Sequence, residues 1–313
     1  MSRAFVFPGQ GAQTIGMGKA LADAYPQAQA VFDEVDEALG QDLSGLIWEG
    51  DIETLTLTEN AQPALMATSL AALRALQAEG VGIEVASFVA GHSLGEYSAL
   101  AAAGALSVAD TARLLRIRGR AMQQAVPVGR GAMAAILGLD LVTVQEVAAE
   151  AAQGGVCAAA NDNDPAQVVV SGDKAAVERA IGIAKGRGAK RAILLPVSAP
   201  FHCALMGPAA DAMAEALAQV HIEPPRVPVV ANVRAAAVTD PQGIRELLVE
   251  QVTHSVRWRE SVLWMAAQGV DEMWEIGAGK ALSGMVRRID KSVATRAVGT
   301  PEDVKDAAES VRG

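Results

Sequence analysis

The feature that most constrains this chain is Gly91-His92-Ser93-Leu94-Gly95, a serine with a glycine two residues away on either side. An apolar run over 86–91 precedes the serine, and a helical pattern starts directly after it. G-x-S-x-G between a strand and a helix is the pattern of a sharp, strained turn that leaves a serine hydroxyl free at a helix N-terminus. The turn is so tight that its neighbours must be minimal. At that place the amide of Leu94 and the helix dipole offer a seat for an oxyanion. The pattern therefore predicts an α/β fold with Ser93 as nucleophile. A glycine-rich turn without chemistry is the alternative.

The remaining punctuation agrees with strands feeding helices. Residues 4–7 form a short apolar run stopped by Pro8 and Gly9-Gln10-Gly11, which reads as a buried strand entering a tight loop. Helical patterns follow near 28–38 and 61–79. Ser107 with Asp110 opens another, running to about 124. On it Leu114, Leu115, Arg118 and Met122 share one face, so Arg118 points where the apolar side chains point. Arg113, Arg116 and Arg120 are expected elsewhere on the surface. After Pro127-Val128-Gly129 the order becomes strand (131–137), helix (141–152), strands (156–160 and 167–171), helix (173–187) and strand (190–195). This β-α-β-β-α-β order is that of a ferredoxin-like unit inserted into a larger domain. The larger domain resumes with a helix from near His202 to about 219 and a strand at 227–231. Asp240-Pro241 then caps a helix to about 252, and a last strand is expected near 272–276. Ile244, Leu247, Leu248 and Gln251 share a face of the capped helix, which aims Gln251 into apolar company.

The chain's 313 residues suit one large domain or two unequal ones. A net charge of −10 argues against a general nucleic-acid binder, which needs a broad basic face. No apolar run reaches the ~18 residues of a membrane span, and the N-terminal run is too short for a signal peptide. Two cysteines, Cys157 and Cys203, make no disulfide framework. A cytoplasmic protein is expected. No metal-ligand spacing and no cofactor-binding motif is present.

A serine nucleophile needs a base, and only four histidines exist. His92 adjoins Ser93, but neighbours at an elbow diverge; His221 lies in a connector and His254 trails a helix end. His202 follows Ser198-Ala199-Pro200-Phe201 at the start of a helix. A helix N-terminus disfavours imidazolium and keeps the ring able to accept a proton. The alternative is a structural histidine. The amide of Gln10 is the candidate second oxyanion donor, against a plain turn or a phosphate cradle; Thr14 breaks the G-x-G-x-x-G pattern. Arg118 is either half of a structural ion pair or a clamp for a substrate carboxylate, which the planar guanidinium fits. Gln251 either orients the site or satisfies backbone groups.

Taken in order, Phe7-Pro8-Gly9-Gln10-Gly11-Ala12-Gln13, Gly91-His92-Ser93-Leu94-Gly95-Glu96, Arg118-Gly119 and Pro200-Phe201-His202 resemble the malonyl-CoA:acyl-carrier-protein transacylases of fatty-acid synthesis. The related acyltransferase domains of polyketide synthases share the pattern. Further matching stretches lie at 131–135, 167–172 and 275–280, so the resemblance covers nearly the whole chain. It implies an α/β-hydrolase-like large domain (1–128 and 198–313) and an inserted ferredoxin-like domain (129–197). It implies that Ser93 attacks the thioester of malonyl-CoA while His202 shuttles the proton. Arg118 would pair with the malonyl carboxylate, the Gln10 and Leu94 amides would hold the oxyanion, and Gln251 would help position the site. Acyl carrier protein would receive the acyl group, with no cofactor beyond the thioester donor, and a monomer is expected. Leu94 and Phe201 match the malonyl pattern of related enzymes. His254-Ser255 departs from it, because the family commonly has Asn-Pro there. A serine thioesterase shares the elbow but needs a triad acid for its histidine, and a non-catalytic carrier-binding subunit needs none of these groups. Carrier proteins of this kind are acidic, and the densest cationic run here is Lys185, Arg187, Lys190 and Arg191.

Overall fold

Ten strands are spread along the chain of the computed structural model, which describes residues 2–197 and 199–312. In chain order they are β1 (Arg3–Phe7), β2 (Ala86–Gly91), β3 (Gly131–Leu137), β4 (Cys157–Asp164), β5 (Gln167–Asp173), β6 (Arg191–Leu194), β7 (Val229–Ala231), β8 (Ala236–Val238), β9 (Glu272–Ile276) and β10 (Ala294–Val298). They form two sheets. One has six strands in the order β10-β9-β1-β2-β7-β8, the other four in the order β4-β5-β3-β6.

In the larger sheet β10, β9, β1, β2 and β7 run parallel, and β8 turns back antiparallel. Its central strands are apolar on both faces, with Phe5, Phe7, Val89 and Ala90 fully buried, as a parallel sheet covered by helices requires. The helix Thr58–Ala78 crosses one face and is buried along most of its length. Parallel pairing has a functional consequence. The carboxyl ends of the neighbours β1, β2 and β7 lie together, and the residues that follow them (Gln10, Ser93 and Asn232) are delivered to one edge.

The smaller sheet is antiparallel throughout. Alternation along β3 sends Ala132, Ala134 and Ile136 against Val144, Val147, Val177 and Ala180 of two covering helices, 141–152 and 174–186. Met133 and Ala135, with Val169 of β5, face the other way and join the main core. The small sheet is thus packed on both faces, and one face looks towards the edge where Ser93 stands.

Several expected boundaries move. The strand expected at 156–160 runs to Asp164, because the polar run Asn161-Asp162-Asn163-Asp164 is paired rather than solvated. Asp162 binds Arg259 at 2.9 Å and Asp164 binds Arg288 at 2.7 Å, tying the small sheet to the large unit. The helix expected at His202 starts only at Gly207, after a short 3-10 turn over 204–206. The strand 272–276 is not the last. β10 follows it, and helices over 258–267 and 301–312 also form. β10 escapes a pattern search because it is a half-exposed edge strand carrying Thr295 and Arg296. Arg116 is not on the surface but 7% exposed, bonded to Asn60 at 2.7 Å and Gln41 at 2.7 Å. Ser198 lies outside the described residues. Among them no helix is long and apolar enough to cross a membrane.

Candidate active site

Ser93 occupies the elbow between β2 and the helix Gly95–Ala102 with φ of 54°, a left-handed conformation that costs a non-glycine residue energy. Sterics explain its glycine neighbours. A Cβ on Gly91 would sit 1.9 Å from the Gly95 carbonyl, and one on Gly95 would sit 2.3 Å from the carbonyl of Phe7. The strained turn is held from outside by Asn232, just after β7. Its Oδ1 accepts the Ser93 amide at 2.8 Å, and its Nδ2 donates to the Gly91 carbonyl at 2.7 Å.

His202 is brought to Ser93 by the chain returning from the small sheet, and it too is left-handed, with φ of 57°. Its Nδ1 lies 2.9 Å from the backbone carbonyl of Gln251, which can only accept, so the ring proton sits on Nδ1. Nε2 is left with a lone pair 2.8 Å from Ser93 Oγ, and the serine hydroxyl donates to it. The backbones of Gln251 and His254 favour the protonated ring. Burial pushes the imidazole down to about 3, and the Arg118 cation adds to the effect. The neutral ring expected from a helix N-terminus is therefore present for a different reason, since the helix begins five residues later.

Arg118 reaches the nucleophile from the helix Val108–Gln124, whose Ser107 cap accepts the Asp110 amide at 3.0 Å. Only 1% exposed, it donates through Nη2 to Ser93 Oγ at 3.1 Å and to Gln251 Oε1 at 2.9 Å. Nη1 donates to Gln62 Oε1 at 2.8 Å, and the guanidinium stands 5.7 Å from the Tyr97 ring. Two neutral amides and a hydroxyl surround this cation. Among the described residues no carboxylate makes a salt bridge with it. A structural ion pair is thereby set aside, and a buried positive charge faces the nucleophile with capacity for an anion.

Gln251, delivered by the helix Pro241–Thr253 from its Asp240 cap, is used twice. Its carbonyl fixes His202; its amide contacts Arg118, the Ser93 carbonyl at 3.0 Å and Glu96 Oε2 at 2.8 Å. Glu96 is buried, and the loss of water pushes its carboxyl up to about 7. The cavity in front of these groups has a volume of about 630 Å³ and is bordered by Gln10, Leu94, Met133, Phe201 and Leu195-Pro196-Val197. The amides of Gln10 and Leu94 have no protein acceptor among the described residues. The Gln10 loop packs directly on the elbow, since a Cβ on Gly9 would meet the His92 carbonyl at 2.7 Å.

The other histidines lie elsewhere. His92 turns its Nε2 to Asn163 Oδ1 of β4 at 2.8 Å, away from Ser93 Oγ. His221 pairs with Glu223 at 2.8 Å on the surface, and exposed His254 bonds the Glu250 carbonyl with its own ring. Sequence reasoning missed Asn232 and Gln62 and gave Glu96 no role. Each is a polar residue in or next to an apolar element, the same signal that marked Arg118. No group of His, Cys, Asp or Glu among the described residues could hold a metal ion.

Residues 4–308 match the acyl transferase domain family. The chain belongs to that family. The malonyl CoA-acyl carrier protein transacylase of Escherichia coli K12 is 48% identical over 306 residues, covering 98% of each chain. The solved acyl-carrier-protein-S-malonyltransferase of Bartonella henselae superposes with a TM-score of 0.98 at 54% identity, covering 100% of both chains. A malonyl-transacylase solved in complex with its type II PKS acyl-carrier protein has a TM-score of 0.96 at 44% identity, over 99% of this acyltransferase and 100% of that chain.

Proposed function

We propose that this acyltransferase moves a malonyl group from malonyl-CoA, through an ester on Ser93, to the phosphopantetheine thiol of an acyl carrier protein. The observation that carries this reading is the buried Arg118, 3.1 Å from Ser93 Oγ and hydrogen-bonded to neutral groups only, with no carboxylate in direct contact among the described residues. A free carboxylate on the acyl group supplies the missing anion, and the planar guanidinium binds it through two N–H groups.

The chemistry then follows from atoms already in place. Ser93 Oγ gives its proton to His202 Nε2 and attacks the thioester carbonyl. The amides of Gln10 and Leu94 receive the oxyanion. Collapse expels the CoA thiol, which takes the proton from His202. In the second half the carrier thiol gives its proton to His202 and attacks the acyl-enzyme, and Ser93 recovers the proton as it leaves. Each step uses groups of one chain, so a monomer suffices and no cofactor enters. The malonyl carboxylate also offsets the Arg118 charge that depresses His202, so the right substrate strengthens the base that acts on it.

We assign the large sheet and its helices, 1–128 and 198–313, to an α/β-hydrolase-like domain, and 129–197 to a ferredoxin-like insertion whose Met133 and Leu195-Pro196-Val197 close the cleft. A thioesterase is less well supported, because His202 is oriented by a carbonyl rather than a triad acid. Incubation with malonyl-CoA and holo carrier protein tests the choice. Malonyl-carrier should form in step with CoA release, whereas release of free malonate in its place would mean hydrolysis.

A further inference from the structure

Glu96 is 3% exposed and lies in the first turn of the helix that follows Ser93, yet no step above uses it. One of its oxygens, Oε2, receives two donors: the backbone N–H of Asn232 at 3.0 Å and Nε2 of Gln251 at 2.8 Å. Each donor belongs to a residue that holds part of the site. Asn232 grips the amide of Ser93, and Gln251 grips Arg118.

A glutamine amide has two chemically opposite ends of nearly the same shape, so its orientation is set by its neighbours. The Gln251 NH₂ end faces three oxygens: Glu96 Oε2, the Ser93 carbonyl at 3.0 Å and Asn232 Oδ1 at 3.4 Å. The shortest of these contacts is to the carboxylate, the only one of the three that can be charged. The opposite orientation would point Gln251 Oε1 at that carboxylate and its NH₂ at the Arg118 guanidinium, a set of acceptor–acceptor and donor–donor contacts. With Glu96 in place, Gln251 Oε1 is committed to Arg118 Nη2, the nitrogen that also reaches Ser93 Oγ.

We propose that Glu96 is a positioning residue that locks the Gln251 amide in one orientation and so keeps Arg118 turned towards the acyl group on Ser93. It rests on the carboxylate-clamp reading of Arg118. The consequence is specific: loss of Glu96 weakens handling of an acyl group with a free carboxylate more than one without. A residue that only shapes the elbow would affect both alike.

The test compares wild type with Glu96→Leu, Glu96→Gln and Arg118→Ala, loading malonyl-CoA and acetyl-CoA. Leaving buried partners of a charged group unsatisfied is worth about 10- to 100-fold, so E96L should lose that much kcat/KM for malonyl-CoA. It should lose less for acetyl-CoA and show a raised malonyl-CoA KM. E96Q, whose amide oxygen can accept from both Asn232 and Gln251, should recover most of the malonyl loss. If E96L does not fold, Glu96→Asp, which withdraws the carboxylate by one methylene, should shift the malonyl-to-acetyl ratio in the same direction. Equal losses for the two donors, or an E96Q as poor as E96L, overturns the proposal. Arg118→Ala separates the two layers. If it leaves the ratio unmoved, the clamp reading fails; if it moves the ratio and E96L and E96D do not, Glu96 has no positioning role.

Discussion

Arg118→Ala is the substitution whose outcome the geometry forecasts most fully. In the free protein the guanidinium is buried among Gln62, Gln251, Tyr97 and Ser93, so its desolvation is already complete before substrate arrives. On the proposed reading a malonyl carboxylate would lose water there but gain a fixed, charge-assisted partner in a dry site. Truncating one member of such a buried pair costs about 2–5 kcal/mol, much of it the penalty of leaving the other charge unpaired. At about 1.4 kcal/mol per tenfold, that corresponds to a loss of roughly 30- to 4,000-fold in kcat/KM for malonyl-CoA. Acetyl-CoA brings no carboxylate and should lose far less, so its share of acyl-enzyme should rise by at least an order of magnitude. Stopped-flow loading with each donor, read by mass spectrometry of the quenched protein, gives both rates. Matching losses for the two donors, with the unfolding midpoint lowered, would mean that Arg118 only supports the fold.

Three other predictions concern His202 and the cationic edge of the small sheet. Because His202 is pushed down to about 3 from the ordinary 6.5, loading from malonyl-CoA should stay flat as pH falls from 8 to 5 and decline only below that. Removal of the Arg118 cation should move this fall to higher pH, and a pH–rate profile of both proteins reads the shift. The same depression means that the unfolded chain binds more protons than the folded one between pH 6.5 and about 3, so His202 stabilises the fold above that window and the contribution is lost as pH falls through it. Reversal of Lys190 and Arg191 to Glu, on the exposed approach to β6, should raise the apparent KM for an acidic carrier protein at low salt. Loading from malonyl-CoA should be unaltered, and an unchanged carrier KM would move docking away from this edge. Arg187, another cation of that run, is already neutralised by Glu146 and Glu150.

Much of this was legible in the sequence because strong local rules govern it. The elbow can be read because only glycine fits at 91 and 95, and the small sheet's element order can be read because its short apolar runs and helical patterns follow one another without a break. Arg118 and Gln251 announced themselves as polar residues on apolar helical faces. What stayed hidden depends on contacts distant in the chain. Nothing near Asn232 says that it will grip a serine amide 139 residues away, and nothing near Gln251 says that its carbonyl, not only its side chain, will orient His202. The polar stretch 161–164 reads as a loop because its two arginine partners lie far downstream. At the His254-Ser255 departure the catalytic ring is held by the carbonyl of Gln251, three residues upstream of His254.

The proposed reaction turns on Ser93 carrying the acyl group between donor and carrier. The most direct measurement incubates wild type and Ser93→Ala with malonyl-CoA, quenches in acid and maps the adduct by peptide mass spectrometry, with and without a chase of holo carrier protein. One malonyl group should appear on the wild-type peptide containing Ser93, vanish on the chase and reappear on the carrier, while S93A stays unmodified at full unfolding temperature. An adduct on S93A at the wild-type rate, or a wild-type adduct that the carrier cannot remove, would rule out a Ser93 acyl-enzyme on the route to the carrier.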